Sequence, residues 1–207
     1  MHVIHKFRIH PQPNDTTCGP TCLQAVYEFY GDPVPLKRVI SEVPSLDEGG
    51  TLAVYLACHA LRRGYRADIY TYNVQMFDPS WFQSPSTDIS AKLKEQALHK
   101  QSKRLSHATA AYLEYLRLGG QLHYKDLTRR LLRQYLNAGI PILTGLSATY
   151  LYDCPRERSL SPVLTCFDDV RGTPTGHFVV LTGYDQENKL INVADPYHEN
   201  PSFRNSY

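Results

Sequence analysis

Apolar and polar positions follow two periods along this chain, and the change from one to the other separates candidate helices from candidate strands. From Cys22 onward, Cys22, Leu23, Ala25, Val26, Phe29 and Tyr30 recur at helical spacing. Pro20 suits the first turn of that helix, Gly31 suits its C-terminal stop, and Asp15, Thr16 or Thr17 can cap its start. A turn at Asp32 to Pro35 leads to a short helix through Leu36, Val39 and Ile40 that ends near Pro44. After a second turn at Asp47-Glu48-Gly49-Gly50, Thr51 can cap a helix carrying Leu52, Tyr55, Leu56, His59 and Leu61 up to Gly64. These are scaffold helices, and His59, beside their apolar stripe, is a structural histidine. Arg66 to Val74 alternates with the period of two that marks a strand.

The middle of the chain carries a weaker pattern. Trp81 and Phe82, between Pro79 and Pro85, suit a surface loop that packs back through its aromatic rings. Asp88 or Ser90 starts a basic helical stretch through Arg104, and a further helix spans Ala108 to Leu118 before Gly119-Gly120. The periodicity then strengthens. Leu127, Leu131, Leu132, Tyr135 and Leu136 mark a helix over Asp126 to Asn137, and Ile140 to Leu146 reads as a buried strand with Pro141 near its start. The stretch Ser147 to Thr175 is rich in Tyr, Ser, Pro and Arg and reads as a long loop, in which Tyr150 and Tyr152 either line a substrate groove or cover the core edge. Gly176 to Asp185 is a β-branched, apolar run that begins with a histidine, His177. Turn residues follow, and a second strand, Leu190 to Ala194, delivers Asp195-Pro196.

Bulk properties narrow the classes. A chain of 207 residues, 42% hydrophobic and 20% charged, suits a single globular domain over 1–207 with a helical insertion at about 76–120. The formal net charge of +2 does not call for a polyanionic partner, and the lysines and arginines from Lys92 to Arg104 suit a solvated helix face, so no nucleic-acid role is expected. Met1 to His10 lacks the apolar run of a signal peptide or a membrane span, which points to a cytoplasmic protein. Five cysteines, an odd number, do not make a disulfide framework, and Cys18 and Cys22 lack the second close pair of a zinc site; no metal or cofactor is expected. The polar tail His198 to Tyr207 adds no strand or helix, which suggests a natural chain that runs on.

The chemistry concentrates at both ends. Cys18 lies at or near a helix N-terminus, where unpaired N–H groups and the positive end of the dipole favour thiolate, so its pKa is expected below the free value of roughly 8.5. Gln12, six positions earlier, can supply an amide donor. If the strands starting at Gly176 and Leu190 pair as a hairpin, Asp195 arrives near His177, where a carboxylate fixes the imidazole tautomer and stabilises the imidazolium. Cys18, His177 and Asp195 together with Gln12 are therefore the candidate catalytic set.

Gln12, Cys18-Gly19-Pro20, the run Gly176 to Asp185 and Ala194-Asp195-Pro196 resemble the papain-like cysteine peptidases. The resemblance is in particular to the branch that processes bacteriocin precursors at double-glycine leaders, cysteine peptidase family 39. It implies an α+β fold in which a nucleophile-bearing helix packs on an antiparallel sheet carrying His and Asp. It also implies Cys18 as nucleophile, His177 as general base and then acid, Asp195 as orienting carboxylate and Gln12 as oxyanion donor, acting on a peptide or protein substrate. Such sites also serve amidases, transpeptidases and acyltransferases, and a catalytically silent peptide-binding module on the same fold is the alternative from another class.

Overall fold

The computed structural model describes residues 2–47, 49–100, 102–161 and 164–200. Glu48 of the second turn and residues 201–207 of the polar tail lie outside them. Along the chain the elements are β1 (His2–Ile4), α1 (Cys18–Phe29), α2 (Leu36–Glu42), α3 (Ala53–Arg62), β2 (Asp68–Thr71), a 3-10 turn (Pro79–Phe82), α4 (Ile89–His99), α5 (Lys103–Arg117), β3 (Gln121–Tyr124) and α6 (Arg129–Asn137). They continue as β4 (Ile142–Ser147), α7 (Ala148–Tyr152), β5 (Glu157–Ser161), β6 (Leu164–Phe167), β7 (Gly176–Asp185) and β8 (Leu190–Ala194). The class is α+β, of the papain-like kind, with α1 packed against an antiparallel sheet. The chain divides into two compact units, residues 1–51 with 129–207, and residues 52–128.

The first unit is organised around β7. Nearly every residue of this strand is buried, because both of its faces are covered and both of its edges are paired. One edge pairs antiparallel with β4 from Gly176 to Leu181 and then with β1 from Gly183 to Asp185; the other pairs antiparallel with β8. The β7–β8 ladder slips by one residue at Thr182, where Leu181 faces Val193 and Gly183 faces Asn192, a bulge that also bends the strand. Val179, Leu181 and Val193 pack with Ala148, Leu151 and Tyr152 into a buried apolar cluster.

Helix α1 ends as its sequence predicts. Gly31 takes φ +75°, which its missing Cβ permits. The Gly31 N–H donates to Glu28 and the Asp32 N–H to Tyr27, so two carbonyls at the helix end are satisfied. The start differs from expectation: Thr17 is the capping residue, but no side chain caps the helix. The Thr17 hydroxyl is turned back onto the Asn14 carbonyl at 3.0 Å, while Asn14 Oδ1 accepts from the Thr16 N–H at 3.1 Å. Thr51 likewise does not cap α3. Its hydroxyl donates to the Pro44 carbonyl at 2.7 Å and closes the loop from 44 to 51 instead.

The second unit has its own core of Val54, Cys58, Met76, Phe77, Leu93, Ala111, Tyr112 and Tyr115. Trp81 and Phe82 pack back onto it from the 3-10 turn, as their aromatic character predicts. Asp88 and Ser102 cap α4 and α5 with their side chains, and α5 starts five residues earlier than its apolar pattern suggests. Strands β2 and β3 run parallel. The buried Tyr115 hydroxyl ties them together, donating toward the Ala67 and Gln121 carbonyls and accepting from the Ile69 N–H.

The stretch from Ser147 to Thr175 is structured rather than a long loop. It holds α7 and the β5–β6 hairpin, whose base is closed by backbone bonds between Glu157 and Thr173. Composition hid these elements because each is short. The Ser147 hydroxyl accepts from the Tyr150 N–H at the start of α7.

Candidate active site

Cys18 is the first residue of α1, with Gly19 and Pro20 filling the rest of a first turn whose N–H groups no side chain caps. It is buried, at 6% exposure. His177 is the second residue of β7, paired with Leu146 across the ladder, and Asp195 directly follows β8. Because Val180 pairs with Ala194, the next residue, Asp195, falls on the same sheet face as Val179 and His177. The period of two thus sets both side chains on one face, and the antiparallel hairpin brings them to the same end of the sheet.

The two groups meet closely. His177 Nε2 lies 2.9 Å from Asp195 Oδ1, with His177 at 8% and Asp195 at 6% exposure. The Cys18 sulfur also acts on the imidazole, favouring its protonated form. Since Nε2 faces the carboxylate, Nδ1 is the nitrogen left to serve a thiol. Burial works to lower the His177 pKa, but hydrogen bonds and charge from Asp195 and Cys18 outweigh it and push it up from 6.5 to about 9. A ring so shifted carries its proton at neutral pH, held against the Asp195 carboxylate.

Gln12 joins this neighbourhood through its backbone, its N–H donating to the Pro196 carbonyl at 2.9 Å, one residue past Asp195. Its side-chain amide is half-buried: Nε2 donates to the Asn14 carbonyl at 3.0 Å and Oε1 is buried without a protein partner. The loop from Asn14 to Thr17 thus separates Gln12 from Cys18 and is bonded to both sides.

Cys22, one turn along α1, is fully buried and donates its S–H to the Phe178 carbonyl at 3.2 Å. Burial first, and then the charges of Cys18 and Asp195, raise its thiol well above the usual range. His59 is buried in the second unit. Among the described residues no group of three or more His, Cys, Asp and Glu is placed to hold a metal ion.

Two tyrosines reach Asp195: Tyr152, expected either to line a substrate groove or to cover the core edge, and Tyr197, which the chain pattern did not single out. The Tyr152 hydroxyl donates to Asp195 Oδ2 at 2.8 Å, and the Tyr197 N–H donates to Asp195 Oδ1 at 2.9 Å. Tyr152 sits in the stretch read as a loop, so its direction could not be inferred. Tyr197 follows Asp195 by two residues, a spacing at which an aspartate commonly accepts from the backbone, and this was the available signal.

A search of curated proteins finds no match. Among solved structures, one from Bacillus anthracis, described as a candidate C39-like peptidase, aligns with a TM-score of 0.41 and 14% identity over 98% of this chain and 91% of its own. The sequence model of the Peptidase_C39 like family matches residues 4–207, a span that holds the start of α1 and the ends of β7 and β8 alike. With that match running over nearly its whole length, the chain belongs to the Peptidase_C39 like family.

Proposed function

We propose that this protein is a cysteine peptidase that cleaves a peptide or amide bond through a thioester on Cys18. The observation that carries the reading is the buried His177–Asp195 pair, with Cys18 at the start of α1 acting on the same ring. The Cys18 thiolate attacks the substrate carbonyl carbon. The imidazolium of His177 then gives its Nδ1 proton to the leaving amine as the carbon–nitrogen bond breaks and the thioester remains. Water resolves the thioester, with the now neutral His177 taking its proton, and the acid product leaves with the thiolate restored. Asp195 keeps the ring in register throughout.

The developing oxyanion needs preorganised donors. The N–H groups of the first turn of α1, Cys18 among them, are free of any side-chain cap and are one supply. The Gln12 amide is the other. An amide carries two hydrogens, and among the described residues only the bond to Asn14 engages Nε2. The family supports peptide substrates, and among the described residues no helix is long and apolar enough to cross a membrane.

The test pairs two reactions of the same thiol. Iodoacetamide alkylates a thiolate without forming an oxyanion, whereas peptide hydrolysis forms one. His177→Ala is expected to slow Cys18 alkylation at neutral pH and to abolish turnover of a peptide selected from a library. Gln12→Ala is expected to leave alkylation unchanged and to lower turnover by roughly 10²–10³. Alkylation of Cys18 no faster than that of Cys154, followed by peptide mapping, would sink the cysteine-peptidase reading, and a Gln12→Ala enzyme of full activity would remove Gln12 from the oxyanion site.

A further inference from the structure

Asp195 is held by three donors, two of which the proposed chemistry does not use. Its Oδ1 accepts from His177 Nε2 at 2.9 Å and from the Tyr197 N–H at 2.9 Å, and its Oδ2 accepts from the Tyr152 hydroxyl at 2.8 Å. Tyr152 is 6% exposed and its ring lies 5.9 Å from the imidazole, while the Tyr197 ring lies 6.4 Å from it. The His177–Asp195 pair is thus enclosed by two aromatic rings, one of which carries a hydroxyl aimed at the carboxylate.

A carboxylate bonded at one oxygen can still rotate about its Cβ–Cγ bond. Bonds to both oxygens from separate elements remove that freedom: Tyr197 acts from the segment just past β8, and Tyr152 from the end of α7. A phenylalanine would fill the same space and leave Oδ2 without that donor.

We propose that Tyr152 is a positioning residue, whose hydroxyl locks Asp195 in the rotamer that faces His177. This rests on the cysteine-peptidase reading of the site. Without the hydroxyl, Asp195 can turn away from His177, the imidazole loses its orienting partner, and Cys18 alkylation and turnover both fall across the whole pH range.

The experiment follows Cys18 alkylation by iodoacetamide across the acidic and neutral range in the full chain, for the wild type, Tyr152→Phe, Asp195→Ala, the double variant and His177→Ala. Tyr152→Phe is expected to lower the Cys18 alkylation rate by roughly three- to tenfold, a hydrogen bond's worth. It should add nothing on the Asp195→Ala background, because it acts through that residue. On a selected peptide, kcat should fall with KM unchanged. Should Tyr152→Phe not fold by circular dichroism, Tyr152→Met, which fills the volume with an adaptable apolar chain, carries the same expectation. A Tyr152→Phe profile that superimposes on the wild type while Asp195→Ala departs from it overturns the proposal and leaves Tyr152 a packing residue. If neither Asp195→Ala nor His177→Ala changes Cys18 alkylation, the reading of the site itself has failed, and the role of Tyr152 fails with it.

Discussion

Cys18 and Cys22 stand one helical turn apart and meet opposite surroundings. Cys18 opens the helix beside an imidazolium, while Cys22 is sealed under it, its S–H spent on the Phe178 carbonyl. Reactivity follows thiolate population and access, so the two should separate cleanly under one reagent. In the native protein Cys18 is expected to alkylate first, and Cys22 only once denaturant opens the core. Cys58, whose thiol burial pushes up to about 11, should behave like Cys22. Intact mass with peptide mapping over a time course reads this directly, and early labelling of Cys22 would mean that α1 does not pack on β7 as described.

At the scale of elements, the loop that carries the approach to Cys18 is wedged by another loop. Gly49 has φ +90°, and a Cβ there would stand 2.8 Å from Thr16 Cγ2, closer than side chains tolerate. Thr16 belongs to the Asn14–Thr17 turn that is bonded onto the start of α1. Gly49→Ala therefore combines a strained backbone with a clash against the turn beside the nucleophile, and is expected to destabilise by about 1–3 kcal/mol. A lowered urea midpoint with unchanged m-value checks it, and Thr16→Ala on the same background should recover part of the loss by removing the clashing methyl. The other element that matters is the β7–β8 hairpin. It spans the turn at Asp185 and the bulge at Thr182, and its register alone decides that Asp195 shares a face with His177. A slip by one residue would send the carboxylate to the opposite face.

For the molecule as a whole, the site makes stability depend on pH. His177 has a pKa of about 9 in the fold against an ordinary 6.5, so the folded state holds a proton that the unfolded chain releases in between. That stabilisation is complete below about pH 6.5 and is lost as pH rises through about 9. Cys22, raised above 9.0, begins to contribute in the same direction only beyond that range. The melting temperature is accordingly expected to fall from pH 6.5 to 9, and the slope to flatten in His177→Ala. A wild-type melting temperature constant over that window would contradict an imidazolium held between Asp195 and Cys18.

What the chain determined by itself was local and periodic. The spacing of Leu23, Val26 and Tyr30 and the stop at Gly31 determine α1, and the apolar run from Phe178 to Thr182 marks a strand buried on both faces. The α+β class and the candidate residues Gln12, Cys18, His177 and Asp195 were legible because their types are unusual at such positions and lie at element ends. The caps were less legible. Thr17 and Thr51 are suitable capping residues by type, yet both hydroxyls bond other carbonyls, since a short polar side chain takes whichever backbone group folding brings nearest. The segment around Tyr152 was illegible for a related reason. Elements of four or five residues do not complete enough periods to register, and their stability comes from what they pack against. Only the tertiary structure decided that the Tyr152 hydroxyl meets Asp195 across 43 positions of chain, because such a contact depends on where α7 docks against the β7–β8 hairpin and on nothing in its own neighbourhood of sequence.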